Sequence, residues 1–224
     1  MIAWQQVKTV MLDMDGTLLD LNFDNTFWQQ QLPQHYAEKH QLGFEQAYNE
    51  LMARYAEHRG TLTWYCLDYW RKELGIDLMM LKKQSAHLIQ VLPHVIDFLD
   101  RLRHVGKQVL LVTNAHPDNL TLKMEKTKLQ HHFDEIICSH DYGYSKEDQR
   151  FWLAFQQQHG FDGEHSLMVD DNLEVLASAQ RYGIAQVLAV RKPDSSRPEN
   201  SVIEFPSVSD FSELMPRAFS AELN

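Results

Sequence analysis

The sequence predicts an α/β protein: a parallel sheet flanked by helices, with a helical cap domain inserted after the first strand. Three observations predict it. Apolar, β-branched runs near residues 8–13, 107–113, 134–139, 166–170 and 185–190 read as buried strands. Residues 93–105, 118–129, 148–159 and 172–182 between them carry helical spacing, and strand alternating with helix implies parallel strands with helices on both faces. Residues 20–90, by contrast, have little β character and several helical patterns.

The first strand, Thr9 to Leu12, ends directly in Asp13, with Asp15, Gly16 and Thr17 beyond it. Two acids at the tip of a buried strand are unfavourable unless something compensates their charge. Hard divalent cations do so through carboxylate and carbonyl oxygens. Side chains alternate along a strand, so Asp13 and Asp15 face the same way if the extended geometry persists. Gly16 allows a sharp turn and close approach to a ligand. Helical patterns then cover roughly 24–40, 44–58, 61–74 and 78–90, and Pro93 marks the return to the sheet, so the predicted boundaries are 1–19 and 91–224 for the core and 20–90 for the insertion.

Leu110-Leu111-Val112 is the next strand, ending in Thr113-Asn114. Lys146 lies in the loop Gly143-Tyr144-Ser145-Lys146-Glu147-Asp148, and Ser166 to Val169 forms a strand ending in Asp170-Asp171. The helix at 172–182 carries Leu173, Leu176 and Ala179 on one face, with Gly183 as its stop. The residues from Pro193 onward, with Pro198 and Pro206, read as a peripheral loop followed by a short helix near 209–218. Ligands of open parallel sheets bind at the carboxyl ends of the strands, where these polar residues fall.

Composition narrows the function classes. A 44% hydrophobic content in 224 residues supports a normal core, and no apolar stretch is long enough to span a membrane. The formal charge of −10 opposes nucleic-acid binding and requires a local positive site for any anionic substrate. The N-terminus runs almost at once into the first strand, leaving no room for a signal peptide, so a cytoplasmic location is expected. Cys66 and Cys138 lie far apart without metal-ligand spacing and read as free, buried thiols in a reducing compartment. The 12 histidines show no metal spacing either; the adjacent pair His131-His132 reads as surface. No oligomeric state follows from composition.

Asp13-Met14-Asp15-Gly16-Thr17 resembles the first motif of the haloacid dehalogenase-like (HAD) phosphatases, and Thr113-Asn114, Lys146 and Asp170-Asp171 resemble their second, third and fourth motifs in order. The resemblance implies a HAD-type Rossmann-like core. It makes Asp13 the nucleophile that becomes an aspartyl phosphate and Asp15 the general acid and base. Thr113 and the following N–H suit a phosphate oxygen, and Lys146 holds nucleophile and phosphoryl group by charge. Family members that break carbon–halogen bonds lack the second acid, so Asp15 favours phosphoryl transfer. The implied cofactor is Mg²⁺, held by the Asp13 side chain, the Asp15 backbone carbonyl, Asp171, a phosphate oxygen and waters. Asp170 binds the ion directly, binds it through water, or only hydrogen-bonds Lys146; the residues leave these three open.

The inserted segment is aromatic: Trp64-Tyr65-Cys66-Leu67-Asp68-Tyr69-Trp70-Arg71, with Phe27-Trp28 before it. Such rings either stack on a base or pack one helix on another. Trp64, Tyr69 and Arg71 are the candidates for base recognition and Asn114 for phosphate contact; Tyr65 and Tyr69, four apart, would share a helical face. These runs, with Ile2-Ala3-Trp4-Gln5, Thr113-Asn114-Ala115-His116-Pro117 and Lys146-Glu147-Asp148-Gln149-Arg150, resemble the bacterial GMP/IMP 5′-nucleotidases of the same superfamily as far as about residue 195. That resemblance implies purine nucleoside 5′-monophosphates as substrates. Sugar-phosphate phosphatases, phosphomutases and non-catalytic phospho-aspartate modules share parts of the pattern. Signalling receivers, however, lack a large insertion and carry the phosphoacceptor on a later strand.

Overall fold

The five apolar runs form strands β1 (Thr9–Leu12), β2 (Gln108–Thr113), β3 (Glu135–Cys138), β4 (Ser166–Asp170) and β5 (Gln186–Val190) in the computed structural model, which describes residues 2–216. All neighbours pair in parallel, in the order β3-β2-β1-β4-β5-β6. The sixth, β6 (Ser207–Val208), lies where a peripheral loop is expected. Two residues carry no readable period. They are held by tertiary pairing: Ala189 N–H donates to Pro206 O at 2.9 Å and Arg191 N–H to Val208 O at 2.8 Å. The short helix expected near 209–218 is a 3-10 turn at Phe211–Leu214, closed by reciprocal Asp210 and Glu213 caps; residues 217 and 218 lie outside the described residues.

After β1 the chain enters a helical segment. Helix α1 (Asn22–Thr26) runs through a wide π turn at Phe27–Gln31 into α2 (Leu32–His40). Pro33 accounts for the wide turn, because it has no N–H to donate and its ring crowds the preceding turn's carbonyl. Helix α3 (Phe44–His58) follows as expected. The single helix expected over 61–74 instead breaks into α4 (Leu62–Tyr65) and α5 (Leu67–Leu74), with Cys66 extended between them. Tyr65 and Tyr69 therefore do not share a face. The segment closes with α6 (Leu78–Gln84) and a 3-10 turn at Ala86–Leu88. Phe27, Leu32, Tyr36, Leu51, Tyr55, Trp70 and Leu81 form its own core. The chain leaves and returns through adjacent backbone: Asp20 N–H donates to Gln90 O, and Leu92 N–H to Leu18 O, both at 2.9 Å.

Helices α7 (Val95–His104), α8 (Pro117–Thr127), α9 (Gln149–His159) and α10 (Leu173–Tyr182) cover the sheet. Strand alternation divides the core. Val10, Leu12 and Leu111 pack with Phe98 and Leu102 of α7, whereas Met11, Leu110 and Val112 pack with Phe151, Trp152 and Phe155 of α9 and Leu176 of α10. Burial on both faces explains why the strands read as continuous apolar runs. No helix among the described residues is long and apolar enough to cross a membrane.

Candidate active site

Register brings the polar strand ends together. Leu12 lies opposite Leu111 of β2 and Val169 of β4, so Asp13 emerges level with Val112 and Asp170, one residue short of Thr113, at the carboxyl edge of the sheet. Its N–H donates to Val169 O at 3.0 Å, extending the strand by one residue. The chain then turns at Gly16, whose φ is +84°. A Cβ there would lie 2.5 Å from Asp171 Oδ2, so glycine is required both by the turn and by the approach of that carboxylate. Gly16→Ala is expected to lose more than about 1 kcal/mol of stability. Displacing Asp171 should also lower turnover at this cluster by about tenfold or more; urea melts and rate measurements check the two effects.

Lys146 is the centre of the cluster. Its buried ammonium donates to Asp13 Oδ1, to Asp170 Oδ2 at 2.7 Å and to Val112 O at 2.9 Å. Asp170 Oδ1 accepts from Asn172 N–H at 2.9 Å. Asp170 hydrogen-bonds Lys146, and its carboxylate also lies in the group of acids that could hold a cation. Asn114 accepts the Lys146 backbone N–H through Oδ1 at 2.9 Å and donates to Glu147 at 3.0 Å, while Thr113 Oγ1 accepts from Ala115 N–H at 3.0 Å.

Burial pushes the Asp13 carboxyl up to about 7; Asp170 adds to this and Lys146 opposes it. Asp171, facing Asp170 and Asp13, is raised well above the ordinary carboxylate range by burial and by those two charges. Burial also works against the Lys146 ammonium, but Asp13 and Asp170 outweigh it and raise its pKa. Oxygens of Asp13, Asp170 and Asp171 lie within 4.8 Å of one another. Three carboxylates and one ammonium leave two negative charges, the charge one divalent cation carries, so this donor set fits a hard cation.

Asp15 sits apart from Lys146. Its Oδ1 accepts from Lys123 of α8, which also donates to Asp24 of α1. Asp24 in turn accepts from Lys82 of α6 at 2.7 Å. Both lysines are buried, and the Lys82 ammonium lies 4.4 Å from the centre of the Phe27 ring. Burial raises the Asp15 carboxyl to about 6, with Lys123 opposing and Asp24 and Asp13 reinforcing. Sequence reasoning missed Lys82, Lys123, Asp24 and Glu147. Lys82 and Lys123 do leave a trace: each falls on the buried stripe of its helix, beside Leu81 and Met124.

A cavity of about 330 Å³ opens over these groups, within the range of ~300–1,000 Å³ of small-ligand sites. Asp13, Asp15, Thr113, Asn114, Lys146, Asp170 and Asp171 line its floor, and Trp28, Tyr55, Trp64 and Trp70 line its upper wall. Trp64 is thus at the cavity, but Tyr69 and Arg71 are not among its lining residues. Tyr69 OH bonds His58 Nε2 at 2.9 Å, and the exposed Arg71 pairs with Asp68 at 2.9 Å. Tyr65, released by the break at Cys66, donates to Glu147 at 2.6 Å and ties the helical segment to the Lys146 loop.

Fold, strand-end acids and cavity together describe a hydrolase, and the family model for haloacid dehalogenase-like hydrolases matches residues 7–183. The chain belongs to that family and is a phosphatase within it. It is 42% identical over 215 residues to the GMP/IMP nucleotidase YrfG of Escherichia coli, covering 96% of this chain and 97% of that one. It is 24% identical over 186 residues to the pyrophosphatase PpaX of Oceanobacillus iheyensis, covering 80% and 81%. Among solved structures, a HAD phosphatase from Thermococcus onnurineus matches with a TM-score of 0.77 at 21% identity, over 93% of this chain and 96% of that one.

Proposed function

We propose that this phosphatase is a Mg²⁺-dependent 5′-nucleotidase acting on purine nucleoside 5′-monophosphates through an aspartyl phosphate. The carrying observation is the pair Asp13 and Asp15 beneath an aromatic-walled cavity, each acid held by a different buried lysine. Asp13 Oδ attacks phosphorus in line, forming the acyl-phosphate bond as the bond to the 5′ oxygen breaks. Asp15 donates its proton to that oxygen, and its raised pKa keeps a protonated fraction available near neutral pH. The resulting Asp15 carboxylate then takes a proton from a water that attacks phosphorus and frees Asp13. Lys146, Thr113 and loop N–H groups hold the phosphoryl oxygens. Mg²⁺, held by Asp13, Asp171 and the Asp15 carbonyl, would supply charge neutralisation and orient the phosphate; Asp170 serves this reading by fixing Lys146.

Residues 20–90 act in this reading as a cap over a core made of 1–19 and 91–224. Trp64 is the base-facing candidate, and Tyr69 and Arg71 support the cap from outside the cavity. The identity to a relative named for GMP and IMP supports the purine assignment, and the free thiols suit a cytoplasmic setting. Phosphate release across nucleoside monophosphates and sugar phosphates, with Mg²⁺ and with a chelator, tests the proposal. Metal-dependent release favouring GMP or IMP is expected; equal rates on sugar phosphates would remove the nucleotidase assignment. Trp64→Ala should lower the preference for purine nucleotides over a small aryl phosphate about tenfold or more, a loss of ~1–3 kcal/mol of stacking. Tyr69→Phe should leave that preference unchanged and lose about 1 kcal/mol of stability with its hydrogen bond.

A further inference from the structure

Beside the cavity, on the seam between helical segment and sheet, lies a group of side chains that the proposed hydrolysis does not use. Cys66 Sγ, a ring nitrogen of His116 and a ring nitrogen of His140 come within 4.8 Å of one another. Cys66 belongs to the break between α4 and α5, His116 caps α8 after β2, and His140 follows β3. Sequence separation hides the cluster, since the three positions span 75 residues and share no spacing motif. We propose that Cys66, His116 and His140 form a second metal site, for Zn²⁺ or a similar borderline-soft divalent ion, which fastens the helical segment to the sheet.

The donor set is the first support. A thiolate and two imidazoles select zinc-like ions, whereas Mg²⁺ takes oxygen donors such as the Asp13, Asp170 and Asp171 cluster. The second is the state of His140. Its Nε2 is buried with no hydrogen-bond partner, while the Asn114 backbone accepts a hydrogen bond from the ring, which must therefore come from Nδ1. That tautomer leaves an unused lone pair on Nε2, and a carbonyl behind the opposite nitrogen is how ligating histidines are ordinarily oriented. The third is the surroundings. Cys66 Sγ already accepts the Tyr69 N–H at 3.4 Å, a contact that fixes the sulfur in place. Asp68 Oδ2 lies 3.6 Å from His116 Nε2 and adds negative charge beside the cluster.

Binding is a balanced exchange. The Cys66 thiol releases one proton to solvent as the sulfur–metal bond forms. His116 presents Nε2, and its proton moves to Nδ1, displacing the weak 3.3 Å bond from Asp118 N–H while the Asp118 carboxylate, 3.8 Å away, offsets the charge. Cys66 belongs to the stretch that carries the cavity residues Trp64 and Tyr65, and His116 to the stretch that carries Asn114. An ion there joins the two walls of the cavity and slows its opening. That consequence rests on the cap reading above; the binding itself does not.

Titration with Co²⁺ in the absence of substrate tests the site independently of catalysis. One ion per chain should give a thiolate-to-cobalt charge-transfer band and the intense visible absorption of four-coordinate cobalt, both removed by Zn²⁺. Cys66→Ser and His140→Asn should weaken cobalt binding at least about tenfold while keeping circular dichroism and Mg²⁺-dependent phosphate release, and Asp171→Asn should keep both bands. Absence of the charge-transfer band, or its persistence in Cys66→Ser, would overturn the site. Low Zn²⁺ should slow phosphate release by the parent but not by Cys66→Ser. Equal slowing of both would place the inhibitory ion on the carboxylates and overturn the fastening role.

Discussion

Asp13→Asn is expected to abolish phosphate release, leaving less than about 1% of the parent rate, without loss of fold. An amide oxygen cannot attack phosphorus as a carboxylate does, and no neighbouring group replaces it: Asp15 is held by Lys123, and Asp170 by Lys146 and Asn172. The fold should survive because Asp13 is an unfavourable charge, raised to about 7 by burial and by Asp170 in spite of Lys146. Its folded pKa exceeds its unfolded value, so stability falls as pH rises from about 4 to about 7 and stays lowered above that, a loss an asparagine escapes. The thermal midpoint of the variant should therefore equal or exceed that of the parent at pH 8. A folded Asp13→Asn enzyme with several per cent activity would refute the nucleophile assignment.

Asp24→Asn should produce the largest stability change, a loss of about 3–5 kcal/mol. The variant leaves Lys82 and Lys123, both buried, with only the Asp15 carboxylate between them. Burial alone would raise the Asp24 carboxyl, but the two lysines outweigh it and hold it far below its ordinary range. A group lowered in the fold contributes fully above its unfolded pKa, near 3.9 for Asp, and loses that contribution only as pH falls through the lower folded value. The urea-measured loss should therefore be the same at pH 6 and pH 8. Replacing Lys82 by Met in the same chain should recover part of it by restoring the balance of charge. Since Asp24 helps raise Asp15, the variant should also shift the acid-dependent limb of the rate profile to lower pH.

Most of the core and the floor of the site were legible because their signals are local. A buried strand ending in Asp13 or Asp170 places an apolar run against a charge within a few residues, and the parallel register does the rest. The helical segment was less legible in detail. Its helices follow apolar periodicity, but the π turn at Phe27–Gln31 and the break at Cys66 are set by Pro33 and by tertiary contacts such as Tyr65 to Glu147. Those interruptions decide which aromatic rings reach the cavity, so Trp28 and Tyr55 joined Trp64 there while Tyr69 did not. The Lys82, Asp24, Lys123 and Asp15 chain was hidden for a simpler reason: its members come from three helices and one loop separated by up to 108 residues.

The paired crossing at Leu18–Asp20 and Gln90–Leu92 has an evolutionary consequence. Because the chain departs and rejoins at neighbouring points, the sheet order does not depend on how much polypeptide is threaded between them, and closing a longer or shorter excursion changes the loop entropy only slowly. In the proposed cap reading, the excursion is a module separable from the sheet. Mutation can rewrite the walls that greet a new molecule while the strand-end acids, encoded on either side of the insertion, remain untouched. In the cap reading the cavity walls and the strand-end acids come from different stretches of the chain, although Asp24 and Lys82 of the excursion still reach Asp15 through Lys123.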